Sequence, residues 1–155
     1  MISISKFAGT IVLGLIGFFA AQDSALALTQ VPGAECKPYG NSTTTGLYAQ
    51  TNGSFNYSGN SMYVVCPITR AATTQSSGYF QVFVDGNAGS GTTYCWLYSY
   101  DYDNTFLGTA YFSASGVFRG ALSLNPALAP YFSSQAVLCY VPNNGGIYNV
   151  ELTVG

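Results

Sequence analysis

Histidine is missing from this chain of 155 residues. That removes the Ser-His-Asp and Cys-His arrangements and every His-ligated metal site. Charge is scarce, with 6% Asp, Glu, Lys and Arg together and a net charge of −2. So few cations cannot neutralise many phosphates, and they form no basic patch for anionic lipid. There is no CxxC pair. The glycines of "GNAGSG" (86–91) are followed by neither a lysine nor a helical pattern, so they make no phosphate cradle. Tryptophan occurs once, at Trp96. With charge so low, solubility rests on Ser, Thr, Asn, Gln and Gly, and weak repulsion favours self-association. At 48% hydrophobic residues the chain is too apolar to be disordered.

Long apolar runs are absent except near the start. Lys6 precedes "FAGTIVLGLIGFFAA" (7–21), and "ALA" (25–27) is a small-x-small cleavage pattern. The run is shorter than the ~20 residues a membrane span needs. The pattern reads as a secretory signal peptide over 1–27, leaving a mature domain over 28–155. Glu35 before Cys36 does not fit a lipidation site. The length suits one domain with one core, secreted to the periplasm or the outside, with no later membrane span.

Four cysteines, Cys36, Cys66, Cys95 and Cys139, all fall in the mature part. An even count in an exported chain reads as two disulfides. Three connectivities exist. Cys36–Cys66 with Cys95–Cys139 is favoured, because sequential pairs join neighbouring elements of a meandering β fold. Loop closure gives each bridge roughly 4 kcal/mol.

Past the signal peptide no helical period survives. Short alternating runs recur between Gly, Asn, Ser and Pro. They include "GLYAQ" (46–50), "SFNYS" (54–58), "SMYVVC" (61–66), "GYFQVFVDG" (78–86) and "TTYCWLYSY" (92–100). "TFLGTAYF" (105–112), "VFRGALSL" (117–124), "QAVLCYVP" (135–142) and "IYNVELTV" (147–154) complete the series. "DG" and "NAGSG" read as turn and loop, "RAATTQSS" (70–77) as a polar connection, and "NPALAP" as a crossing loop with one helical turn. Eight to ten short strands predict an all-β antiparallel sandwich of Ig-like or jelly-roll-like type, with a closed barrel as the alternative.

The run from 92 to 100 carries the main functional signal. Tyr94, Trp96, Tyr98 and Tyr100 share one face, while Thr93, Cys95, Leu97 and Ser99 share the other. If the cysteine side is core, the aromatic side points away from it, and a one-residue slip would reverse every side chain. The plainest reading is an aromatic face packed beneath a cover. A second is an open platform that stacks sugar rings of a polysaccharide. A third is a contact between copies in a filament, matrix or coat.

Asp101 and Asp103 in "DYDN" are the only carboxylates close in sequence. A turn is the first reading. Calcium is a secondary one, although Phe112 stands where an EF-hand has its bidentate Glu. Catalysis is not expected, nor is any cofactor. Three sequons, at Asn41, Asn52 and Asn56, would mark exposed loops in a eukaryotic host.

"VVCPITR" (64–70), "VFVDG" (82–86), "CWLYSYD" (95–101) and "AVLCYVP" (136–142) resemble a loose group of small exported bacterial proteins with paired cysteines. That resemblance implies the secreted sandwich and the disulfides, and no activity. Fimbrial subunits offer a second likeness, since "GIYNVELTVG" (146–155) alternates as their last strand does. Here Val154 replaces their penultimate aromatic. The expectation is a secreted, non-enzymatic protein that binds or assembles outside the cell. The two specific alternatives are a carbohydrate-binding module using the aromatic face, and a fimbrial or coat subunit.

Overall fold

The computed structural model describes residues 27–40, 45–68, 79–130 and 132–154. The proposed signal segment lies outside them apart from Ala27, as do Asn41 and the 70–77 connection. Nine antiparallel strands follow in order: β1 (Ala27–Pro32), β2 (Lys37–Pro38), β3 (Leu47–Gln50), β4 (Gly53–Asn56), β5 (Met62–Pro67), β6 (Phe80–Tyr100), β7 (Phe106–Leu124), β8 (Ser134–Val141) and β9 (Gly146–Val154). The regular elements besides these are two short 3₁₀ turns, Gly33–Glu35 and Pro126–Leu128. The second realises the helical turn expected in "NPALAP".

Two expected breaks are not breaks. "GYFQVFVDG" and "TTYCWLYSY" form one strand of 21 residues, and the next two runs form one of 19. The DG is no hairpin turn and NAGSG no loop. The pairing of β6 with β7 shifts register between Asn87 and Thr92, which makes 88–91 a bulge. There β6 exchanges one neighbour for another. Its first half pairs with β9 and its second half with β8. The bulged residues 88–91 have no ladder partner, and Gly89 (φ 59°) and Gly116 (φ 67°) take up the left-handed positions the bend needs.

The bend folds the strand ladder into two layers. Sheet I runs β2-β5-β8-β6-β7 through the second half of β6. Sheet II uses the first half of β6 between the second half of β7 and β9, with β4-β3 and β1 beyond β9. Among the described residues β2 and β3 end the path without meeting, so the sheet is nearly closed but not a closed barrel, and the sandwich stands. Both layers send side chains into one core: Val64, Cys66, Leu97, Val137 and Val141 from sheet I, Phe80, Val82, Leu122, Val150 and Leu152 from sheet II.

Both disulfides pair as expected, Cys36–Cys66 and Cys95–Cys139. Cys95 lies directly opposite Cys139 in the β6–β8 register. The alternation expected in the last strand breaks at one place. Ile147, Val150, Leu152 and Val154 are buried, so Tyr148–Asn149 is an irregularity where β9 shifts against β6 at Asp85/Gly86. β9 is paired on both sides by its own chain. Asn56 is another correction: it is 0% exposed, so this sequon marks no surface loop, whereas Asn52 is exposed.

Candidate functional site

Thr93, Cys95, Leu97 and Ser99 are each 0% exposed, so the cysteine side of β6 is core and the aromatic side faces out. Tyr94, Trp96, Tyr98 and Tyr100 therefore stand on the outer face of sheet I, as the register argument required. Tyr94 is 36% exposed and Trp96, Tyr98 and Tyr100 are half-buried, while Tyr63 and Tyr39, beside Trp96, are 41% and 53% exposed.

Cross-strand partners turn this row into a surface. Tyr94 lies opposite Tyr140, which lies opposite Tyr63. Trp96 lies opposite Leu138 on one side and Tyr111 on the other. Tyr98 lies opposite Ala136, and Tyr100 opposite Ser134 and Phe106. Rings lean on one another throughout. Tyr63–Tyr140 centroids are 5.0 Å apart, Trp96–Tyr111 5.5 Å, Tyr94–Trp96 6.4 Å and Tyr100–Phe106 5.7 Å. Such pairs stabilise by about 0.5–1.5 kcal/mol each beyond area burial, and they restrict the rings' motion.

The outward residues of β8 shrink along the strand, from Tyr140 through Leu138 and Ala136 to Ser134. The β6 rings therefore stand above β8, and a trough opens along it. Its upper hollow, about 280 Å³, is lined by Tyr39, Tyr63, Trp96, Tyr98 and Leu138. The middle one, about 270 Å³, shares Tyr39, Tyr98 and Leu138 and adds Val65, Tyr100 and Ala136. A third, about 290 Å³, shares Val65 and Ala136 and ends at Glu35, Lys37 and Gln135. The three connect through shared walls. The floor is aliphatic, the sides are aromatic with phenolic hydroxyls, and the only charges are one acid and one base at one end. Such a surface can stack flat apolar ring faces and hydrogen-bond hydroxyl groups.

Sequence reasoning found one wall and missed the other. Tyr63 and Val65 of β5, Leu138 of β8 and Tyr39, just after β2, come from parts of the chain far apart in sequence. The alternation of "SMYVVC" and "AVLCYVP" did place Tyr63, Leu138 and Tyr140 opposite their cysteines, and that signal was available. Tyr39 carried none.

Asp101 and Asp103 do not join the trough. Asp101 Oδ1 accepts the Tyr102 N–H at 2.8 Å, and Asp103 Oδ1 accepts the Thr105 N–H at 2.9 Å. Asn104, next after Asp103, sits at φ 68°. This is the turn chemistry expected of Asx residues. The Thr105 backbone N–H holds the Asp103 carboxyl below its ordinary pKa. Among the described residues, no three His, Cys, Asp or Glu side chains gather as a metal site.

Charge on the other face is spent internally. Arg119 bridges Asp85 at 2.9 Å and Glu151 at 3.1 Å, and its guanidinium lies 4.4 Å from the Phe83 ring centroid. The hydrogen bond to Glu151 raises its pKa further.

The fold and trough define a disulfide-bonded β-sandwich with an open aromatic face. No family model matches the chain, and no curated protein matches it. Among solved structures it is similar to the CBM36-1 domain of a multidomain xylanase from the hindgut metagenome of Trinervitermes trinervoides, at 17% identity and TM-score 0.47, covering 81% of this chain and 96% of that one. It is also similar to a carbohydrate-binding module CBM36 in complex with calcium and xylotriose, at 18% identity and TM-score 0.45, covering 80% and 98%. A third is the Podospora anserina GH26-CBM35 β-(1,4)-mannanase, at 13% identity and TM-score 0.39, covering 83% of this chain and 28% of that one. Similarity at this level carries no ligand across.

Proposed function

We propose that the protein is a secreted, non-catalytic binding module that holds an uncharged, extended polysaccharide in the trough of sheet I. The observation that carries this is the wall of Trp96, Tyr98 and Tyr100 standing over an aliphatic floor, opposite Tyr39 and Tyr63. Pyranose rings present apolar C–H faces to such walls and hydroxyls to the phenols. The single Glu35/Lys37 couple leaves no net charge to attract an acidic polymer. The trough's one carboxylate and one ammonium, Glu35 and Lys37, stand together at its end, while the ring-stacking walls carry phenols as their only ionisable groups. Two buried disulfides and the N-terminal pattern support an oxidising, exported setting.

The test is a titration of the oxidised protein with neutral polysaccharides, read by the emission of Trp96. Quenching or a blue shift that saturates, and that disappears with acidic polymers only, supports the reading. No response to any neutral polymer refutes it.

A second reading, self-association, rests on β7. This strand of 19 residues pairs with β6 alone among the described residues, and its one charge, Arg119, is half-exposed and paired within its own chain with Asp85 and Glu151. Long uncharged edges template strand pairing between copies. A sedimentation profile that stays monomeric at every concentration would dismiss it. The fimbrial version gains nothing, because β9 is internal to its own sheet.

A further inference from the structure

We infer that the protein has a second ring-stacking surface, on the outer face of sheet II, and so bridges two polysaccharide chains. The inference rests on the function proposed for the trough.

Tyr48 of β3 lies opposite Phe55 of β4, and Phe55 lies opposite Gly146 of β9. A Cβ at Gly146 would stand 2.7 Å from Phe55 Cδ1, so the missing side chain is what lets the ring lie across the strand. Tyr57 stacks beside Phe55 at 6.2 Å with planes 8° apart. Tyr48 closes on Tyr57 at 5.9 Å, and Tyr148 on Phe55 at 5.7 Å. Four rings thus form a strip across three strands. Ser54 and Asn56, on either side of Phe55, are 2% and 0% exposed, which fixes Phe55 as outward. Tyr48 and Tyr57 are 56% and 50% exposed.

The strip is built rather than incidental. Asn56 is fully buried, and its side chain is fully engaged. Its Nδ2 donates to the carbonyls of Asn60 and Val141 at 2.8 and 2.9 Å. Its Oδ1 accepts from the Ser58 N–H at 3.0 Å and the Ser58 hydroxyl at 2.7 Å. Tyr57 lies between these two anchored residues, and its own N–H donates to the Gly46 carbonyl at 2.7 Å. A buried, satisfied polar network of this kind rigidifies the segment that carries it, and a ring held in place loses little entropy on binding. No member of the strip is charged, which matches the uncharged ligand proposed for the trough. The two sheets share one core, so their outer faces look in opposite directions. One molecule can then hold a chain on each side.

The experiment uses the oxidised protein with soluble β-glucan, arabinoxylan and galactomannan as probes, following stoichiometry by calorimetry and cross-linking by turbidity. We expect two equivalents of chain sites, and turbidity that rises and then clears with excess polymer. Tyr48→Ala/Tyr57→Ala should halve the stoichiometry and abolish turbidity while the Trp96 response persists. Tyr57→Phe should keep both sites. Trp96→Ala/Tyr98→Ala should leave the other half of the binding. Circular dichroism and the melting temperature check the fold of each variant. One site in the wild type, untouched by Tyr48→Ala/Tyr57→Ala, overturns the bridging inference and leaves the trough standing. No binding of any probe overturns both.

Discussion

Removal of the Cys95–Cys139 bridge, as Cys95→Ala/Cys139→Ala, should cost this protein a large share of its stability. The two cysteines are 44 residues apart and both 0% exposed. Loop-closure entropy for a loop of that length is about 4 kcal/mol at room temperature. The void left by the sulfurs adds to that loss. Small domains carry only about 5–15 kcal/mol in total. The bridge lies immediately beneath the paired residues Trp96 and Leu138 of the trough, so binding should weaken along with folding. Guanidinium unfolding followed by Trp96 emission reads the stability directly, with a midpoint lower by roughly 1 M. Cys36→Ala/Cys66→Ala is the companion, with a separation of 30 and a slightly smaller expected loss. A loss under about 1 kcal/mol for the first variant would show that the unfolded chain is not what the bridge constrains.

Trp96→Ala should weaken polysaccharide binding at least tenfold, measured by retention on an insoluble neutral polymer, while removing ring contacts worth about 1–3 kcal/mol of stability. Thr93→Val should raise the unfolding free energy by about 1–2 kcal/mol, because the Thr93 hydroxyl is buried with no hydrogen-bond partner; a destabilised variant would show that the hydroxyl is satisfied. Gly33→Ala should destabilise severely in thermal melts, since its Cβ would fall 2.1 Å from the Ile147 carbonyl oxygen. Stability should be flat from about pH 5 to 8, where histidine would otherwise titrate. The Asp103 pKa is depressed in the folded state, so its contribution is present above its ordinary 3.8 and is lost as pH falls through the folded value. Asp103→Asn should flatten that acid limb.

Much of this architecture was legible from local chemistry. The expectation that sequential cysteines join neighbouring elements gave the disulfide partners, and cysteine parity within β6 and β8 gave the direction of Trp96, which follows from the period-2 alternation of a strand. The DYDN turn was legible because Asp and Asn satisfy nearby N–H groups themselves. The two long strands were not. Glycines at 86, 89 and 91 signal a turn, but 88–91 is a bulge with β9 pairing the strand before it and β8 pairing it after, so the chain runs on instead of reversing. β1 and β2 were also unreadable, since their short runs gain their structure from β9 and β5 alone. The trough's second wall depends on residues 39, 63, 65 and 138 arriving side by side. No local pattern encodes that meeting.

Both disulfides lie in sheet I, one joining the Tyr39 segment to β5 and the other joining β6 to β8. Sheet II holds its aromatic strip with hydrogen bonds instead. Yet all four cysteines sit in the core that both sheets share, and the bridges hold a large part of the small total stability. Reduction should therefore release the trough and the strip together, although only sheet I carries the bridges.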